Sequence, residues 1–421
     1  MIESLLALQA LIVTLGCLYM WRREKLFAAF LFFLYVYAVF AQLGYIYLPE
    51  YSRLILAYFG DEIINRSVVF VTLSFIAVIA SFRVLSPFVR PVGGSCFALT
   101  RRNNLLLEQF SLLSIVLIFL FLLCYLYIQS DHINWYTAQD SDVLAADPIY
   151  VFFIFVFKCS VALVYILYVL VRARECRFPR PVVVSAFFFC AAVFLLVAFQ
   201  LGNRTDVLAV TLGIVLFEST LPRGRVVGIS RLIVIVVASA IALVAIEVTR
   251  YDDFMAVERF SDFLFLKDYF APLHMLFAAI SFDYIDPIEV LVSNATNSLF
   301  MFGHPYLQYS LTELFRPGVT SRSASYAFHV FAEGYIVMGM FGVIYNGIVL
   351  SALMAIWCRL AKMGDAPTNA FVVGLMGCMV VNLVRGQSSY FVKYLYTFII
   401  PAAIIYGLLT GVRICIRRRF V

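Results

Sequence analysis

Three ionisable side chains that could accept a proton stand where a polar stretch meets an apolar helix late in the chain. Glu333 lies near the start of that helix, His329 lies four residues before it, and His304 lies further upstream, before a proline. A carboxylate or an imidazole can act as a general base that takes a proton from a hydroxyl group. Because such groups are costly to place beside lipid, they mark this stretch as a candidate functional site.

The spacing of His329 and Glu333 puts both on one helical face. The two could then form a base and its orienting partner. The alternatives are a structural hydrogen bond for either histidine and a capping or arginine-paired carboxylate for Glu333. Gly334 either serves close helix packing or lets a substrate approach the backbone. Tyr335 is either an interface aromatic or a sugar contact.

A second set of candidates is cationic, and several of its members stand at the ends of apolar runs. A guanidinium is always charged and binds phosphate through two hydrogen bonds, so this set suits a lipid diphosphate. The alternative is that each side chain reaches out to water or lipid headgroups. The cationic candidates are Arg204, Arg250, Arg316, Arg322, Arg385 and Lys393. The acidic residue Asp206, two residues after Arg204, is a further candidate beside them.

The composition is that of an integral membrane protein. Hydrophobic residues make up 64% of the 421 residues and charged residues only 13%. A soluble chain of this length could not bury so much apolar surface. Because a spanning helix needs roughly 20 apolar residues, the sequence predicts eleven spans, over 4–21, 26–48, 67–84, 105–128, 148–171, 181–200, 206–221, 231–249, 328–357, 370–384 and 391–412.

Basic residues collect in alternate connections and in the C-terminal tail, 413–421. These segments hold 20 of the 31 lysines and arginines. The positive-inside bias therefore places them in the cytoplasm, with the N-terminus outside. The predicted organisation is one membrane domain, with eight spans in 1–249, a large outer loop over 250–327, and three spans with the basic tail in 328–421.

The large outer loop contains two apolar stretches, 263–280 and 288–303, that are too short and too polar to span comfortably. They are predicted to be interfacial or re-entrant helices. The inner connections are short and lack a glycine-rich phosphate loop, so no nucleotide site is expected there. The nine cysteines show no metal-ligand spacing, and neither disulfides, a metal nor another cofactor is expected.

Two short motifs resemble a known family. The turn Gly202–Asp206 is similar to a Gly-x-Arg turn, and Glu333-Gly334-Tyr335 with Gly339 and Gly342 is similar to a Glu-Gly-Tyr-like region after the large loop. Together with the many helices, they resemble the bacterial Wzy-type polymerases of oligosaccharide repeat units. The resemblance implies an all-α polytopic, GT-C-like membrane fold in a bacterial inner membrane with its active site facing the periplasm.

The resemblance also implies a metal-independent glycosyltransferase. Its donor and acceptor would be undecaprenyl-diphosphate-linked oligosaccharides, and the growing glycan would pass to the non-reducing end of a new unit. The product would be a surface polysaccharide such as O-antigen in lipopolysaccharide, common antigen or capsule, and a chain-length regulator is an expected partner alongside the lipid bilayer. The arginines would bind the diphosphate, Glu333 would be the base, and His304 and His329 would be second choices for the base. Further contacts to the substrate would come from Asp206, Gly334, Tyr335 and Lys393. Nucleic acid is not an expected partner.

Two other readings stay open. An O-antigen ligase would use the same leaving group with a lipid A core as acceptor. A flippase or transporter of lipid-linked oligosaccharide would move the same substrate without chemistry.

Overall fold

The computed structural model of the chain is helical throughout the part that it describes, and no strand occurs among the described residues. Those residues are 2–35, 38, 49–89, 164–169, 171–172, 180–200, 204–220, 233–235, 237–239, 241–242, 271–281, 286–300, 311, 328–362, 366–385 and 388. The helices within them are α1 (Ile2–Trp21), α2 (Lys25–Tyr35), α3 (Pro49–Leu85), α4 (Arg180–Gln200), α5 (Arg204–Thr220), α6 (Ala271–Ser281), α7 (Pro287–Phe300), α8 (Ala332–Met338), α9 (Gly342–Leu360) and α10 (Ala366–Arg385), with 3₁₀ turns at Ser86–Val89 and Gly339–Phe341.

Four stretches of the described helices are long and apolar enough to cross a membrane: Ser4–Trp21, Phe59–Val89, Pro181–Ala198 and Ala332–Leu360. They coincide with four predicted spans, which confirms an all-α membrane protein. Four leucines are exposed along α1, as expected where a helix faces lipid: Leu8, Leu11, Leu15 and Leu18.

The remaining predicted spans are helical where they are described. Helices α5 and α10 coincide with the predicted spans 206–221 and 370–384, although they are shorter or more polar than the four stretches above. Helix α2 covers the start of 26–48, and short helical pieces fall within 148–171 and 231–249. The spans 105–128 and 391–412 lie outside the described residues. The total of eleven therefore stays a prediction.

Two predicted boundaries are wrong. Residues 49–66, which the predicted spans 26–48 and 67–84 leave as a connecting loop, belong to α3, which is interrupted only at Gly60 by a positive φ of 71°. The predicted span 328–357 is not one helix. It divides into α8 and α9 at Gly339, whose φ is 57°. Glycine adopts this left-handed region without the steric cost that a side chain brings.

By its internal contacts the chain divides into two compact units, which are described separately. The first comprises Met1–Val92, Asp253–Lys362 and Val380–Lys393. In it, α9 packs closely on α3: a Cβ added at Gly347 would lie 3.0 Å from the Cβ of Ala77. Ser351 donates a hydrogen bond from Oγ to the carbonyl oxygen of Val78 at 2.8 Å.

The second unit comprises Gly93–Asp252, Met363–Met379 and Tyr394–Val421. Helix α5 and the first part of α10 approach through glycines, since a Cβ added at Gly213 would lie 2.8 Å from the carbonyl oxygen of Gly374. The fully buried carboxylate of Glu218 receives two hydrogen bonds from Arg172, from Nε at 2.6 Å and from an η nitrogen at 3.1 Å. Tyr168 donates a third at 2.8 Å.

Candidate functional site

The carboxylate of Glu333 is the centre of a buried polar cluster in the first unit. It lies in the first turn of α8 and is only 2% exposed. Oε1 accepts hydrogen bonds from Asn294 Nδ2 at 2.8 Å, Tyr345 OH at 2.5 Å and Ser388 Oγ at 2.8 Å. Oε2 accepts one from the backbone N–H of Ser388 at 2.9 Å. Four donors around an acceptor-only group compensate the cost of burying its charge.

The break between α8 and α9 brings Glu333 and Tyr345 together. At the break the two helices touch backbone to backbone, because a Cβ added at Gly342 would lie 1.9 Å from the carbonyl oxygen of Gly334. Asn346 joins the same two elements by donating to the carbonyl oxygen of Phe331 at 3.1 Å. The glycines therefore serve the local fold. The space beside Gly334, predicted as a possible substrate approach, is filled by Asn346 and Gly342.

Helix α7 contributes Asn294 and has its apolar face turned outward. Ile288, Leu291 and Val292 are exposed, whereas Ser293 and Asn294 are buried. The structure thus confirms a helix within the stretch 288–303, and its position at the membrane interface stays a prediction.

The orientation of the Asn294 amide follows from chemistry. A carboxylate only accepts hydrogen bonds, so the amide nitrogen must face Glu333. The amide oxygen, Oδ1, is then turned away from that bond. It is buried and has no hydrogen-bonding partner among the described residues. Because amide O and N are about 2.3 Å apart, Oδ1 lies within about 5 Å of Glu333 Oε1. Asn294 thus offers an unused acceptor close to the carboxylate.

Helix α6 packs against α8, which carries Glu333, and against α3. Its residues Leu273 and Met275–Ala279 are all buried, and the ring of Phe277 lies 5.4 Å from that of Phe59 in α3. The part of the predicted interfacial stretch 263–280 that is described is therefore a helix enclosed by protein. Its nearly continuous apolar sequence fits burial on most sides.

His329 does not orient Glu333, contrary to the predicted pair. It precedes α8, so the helical spacing that would align the two residues does not apply. Its Nδ1 accepts a hydrogen bond from the backbone N–H of Phe331 at 3.2 Å, which leaves the proton on Nε2. Burial lowers the pKa of His329 to about 3, against a smaller opposing effect of the Ala38 backbone. The ring is therefore neutral, and its lone pair is already used.

Tyr335 is half-buried, with its ring edge-on to Phe70 at 5.1 Å. Arg204 is the first residue of α5 rather than part of the turn before it. Asp206 is buried in the first turn of the same helix, where a carboxylate is favoured by the helix dipole. Both residues belong to the second unit, whereas Glu333 belongs to the first.

Arg385 is close to the cluster because it is only three residues from Ser388 along the chain. It ends α10, three residues before Ser388, so the two Cα atoms lie within about 11 Å of each other. The candidates His304, Arg250, Arg316, Arg322 and Lys393 lie outside the described residues.

Three partners of Glu333 were not predicted from the sequence: Asn294, Tyr345 and Ser388. They lie 39, 12 and 55 residues away along the chain. One available signal was the polar pair Ser293-Asn294, which directly follows the apolar residues 290–292 in α7. Among the described residues, no group of three or more histidine, cysteine or acidic side chains could hold a metal ion. Comparisons with protein-family models, curated proteins and solved structures give no match.

Proposed function

We propose that this protein polymerises undecaprenyl-diphosphate-linked oligosaccharide repeat units at the outer face of a bacterial inner membrane. The observation that carries the proposal is the buried carboxylate of Glu333 in α8, near the start of the apolar stretch Ala332–Leu360 that is long enough to cross a membrane. A buried carboxylate held by four donors is a functional group by default rather than a solvated surface charge.

In the proposed reaction, Glu333 accepts the proton of a hydroxyl group on the acceptor sugar. The hydroxyl oxygen forms a bond to the anomeric carbon of the donor glycan, while the bond between that carbon and the diphosphate oxygen breaks. The lipid diphosphate leaves with the electron pair, and direct displacement inverts the anomeric centre. No metal or nucleotide enters this balance.

Asn294 is the proposed positioning residue for the acceptor. Its unused Oδ1 can accept a hydrogen bond from a sugar hydroxyl within reach of the carboxylate. A site that hydrogen-bonds a substrate hydroxyl discriminates strongly against analogues that lack it. Entry of the acceptor sugar requires movement of Tyr345 or Ser388, because Glu333 is buried in this structure.

Arg385 is the proposed diphosphate ligand closest to this chemistry. It precedes Ser388 by three residues, and a guanidinium there would stabilise the negative charge that develops on the leaving group. Arg204, Arg250, Arg316, Arg322 and Lys393 are the further proposed contacts to the charged substrate, and a chain-length regulator remains a proposed partner.

The experiment is a gel profile of the surface glycans of a cell that lacks this protein. A polymerase predicts a core carrying a single repeat, because ligation still proceeds. A ligase predicts accumulation of lipid-linked polymer with no repeat on the core. An unchanged ladder would overturn the glycan assignment and favour a transporter.

A further inference from the structure

We propose that the end of the first unit formed by residues 17–25, 80–89 and 355–362 binds the headgroup of an anionic phospholipid. This surface, called the basic end below, consists of the C-terminal ends of α1 and α9, the end of α3 with its 3₁₀ turn Ser86–Val89, and the start of α2. It is independent of the Glu333 site and of the proposed function.

Side-chain contacts bring these three segments together. The guanidinium carbons of Arg23 and Arg83 lie 4.7 Å and 5.6 Å from the centroid of the Tyr19 ring, within the range of cation–π attraction. The ring therefore holds two arginines, one from the turn after α1 and one from α3, no more than about 10 Å apart. Lys362, just after α9, forms an ion pair with Glu24 before α2.

The charge of the basic end is not balanced by the protein. Its three segments hold six basic residues and one acidic residue, Glu24, which is engaged with Lys362. The guanidiniums of Arg22, Arg23, Arg83 and Arg359 belong to exposed residues. Helix C-termini favour cations here, but each carries only about half a unit of negative charge. The surface remains strongly positive.

The same segments also carry exposed aromatic and apolar side chains. Trp21 is 47% exposed, Phe88 67% and Val84 72%. Aromatic rings and basic side chains at the ends of spanning helices mark the headgroup level of a bilayer. Paired guanidiniums at this level fit the phosphate and negative headgroup of a lipid such as phosphatidylglycerol.

The test uses Trp21 as a reporter of bound lipid in the full chain. The protein contains three tryptophans, so a Trp135→Phe/Trp357→Phe background leaves Trp21 alone. In vesicles of phosphatidylcholine mixed with brominated phosphatidylglycerol, quenching of Trp21 should show a saturable preference over brominated phosphatidylcholine. Arg23→Gln and Arg83→Gln should each reduce that preference about fivefold, from roughly 1 kcal/mol per basic residue.

The matched control is Arg66→Gln. Arg66 is an exposed arginine of α3, 17 residues and therefore about 25 Å from Arg83, and its replacement should leave the preference unchanged. Equal quenching by both lipids in the parent, or an undiminished preference in the double Arg23→Gln/Arg83→Gln variant, would overturn the proposal.

A second measurement avoids the tryptophan replacements. In detergent, phosphatidylglycerol should raise the thermal unfolding midpoint of the unmodified protein more than phosphatidylcholine does. This difference should vanish in the double arginine variant and persist in Arg66→Gln. An equal rise with sodium phosphate and no lipid would assign the surface to a free anion and contradict a lipid site.

Discussion

At the scale of single residues, Glu333 combines near-complete burial with four hydrogen-bond donors. Hydrogen bonds to a charged group contribute about 1.5–3 kcal/mol each. The donors come from α7, from α9 and from Ser388, so the carboxylate fixes three parts of the first unit around itself. Stability and the proposed chemistry therefore depend on the same atoms, and a test of function has to be accompanied by a test of folding.

His329 gives a prediction about acid stability. In the folded protein the pKa of His329 is about 3, below its ordinary value of about 6.5. The contribution of the neutral ring to the free energy of unfolding is therefore fully present above about pH 6.5 and is lost as the pH falls toward 3. The loss is about 1.4 kcal/mol per pH unit, or roughly 2 kcal/mol between pH 6.5 and 5. The Oδ1 of an asparagine at this position can still accept the hydrogen bond from the backbone N–H of Phe331. We therefore expect His329→Asn to remove this part of the stability that the protein loses on acidification.

The measurement is the thermal unfolding midpoint of parent and variant at pH 7 and pH 5. Both proteins contain the same other titrating groups, so their difference isolates residue 329. An equal fall of the two midpoints on acidification would show that His329 is not buried as a neutral ring.

At the scale of elements, the break between α8 and α9 is what brings Tyr345 to Glu333. Gly342→Ala places a Cβ 1.9 Å from the carbonyl oxygen of Gly334, so backbone must move. We expect a loss of about 3 kcal/mol or more in the free energy of unfolding. Gly339→Ala meets no atom within 4 Å and faces only its positive φ, which costs about 1–3 kcal/mol.

Thermal unfolding of the two variants measured side by side checks this ranking. A Gly342→Ala protein as stable as the parent, or less affected than Gly339→Ala, would mean that the two helices do not touch through these glycines.

The elements show where sequence reasoning succeeds and where it stops. Apolar length alone located α1 and α4, because a spanning helix needs little else. It could not choose among Gly334, Gly339 and Gly342 for the break, since tertiary contact decides which glycine takes a positive φ. It found Glu333 because a carboxylate in an apolar stretch is unusual. It missed Ser388 because no sequence pattern shows that a residue 55 positions away approaches Glu333, and because one of its two hydrogen bonds uses the backbone N–H.

At the scale of the whole molecule, the basic end and the Glu333 cluster are expected on opposite sides of the membrane. In a cysteine-free background, we expect Glu289→Cys to react with a membrane-impermeant maleimide in intact cells. Arg22→Cys should react only after permeabilisation. Both positions are exposed, so accessibility reports the side and not burial. Labelling of the Arg22→Cys protein in intact cells would reverse the predicted orientation.

The most direct measurement is the rate at which purified Glu333→Gln protein joins lipid-linked repeat units extracted from the host cell. Loss of a general base predicts a fall of about 10²–10⁴-fold, with an unfolding midpoint that shows the protein is folded. The control is Glu289→Gln, which removes an exposed carboxylate from α7 and should keep the parent rate. Polymer formed at the parent rate by folded Glu333→Gln would contradict the assignment of this carboxylate as the base.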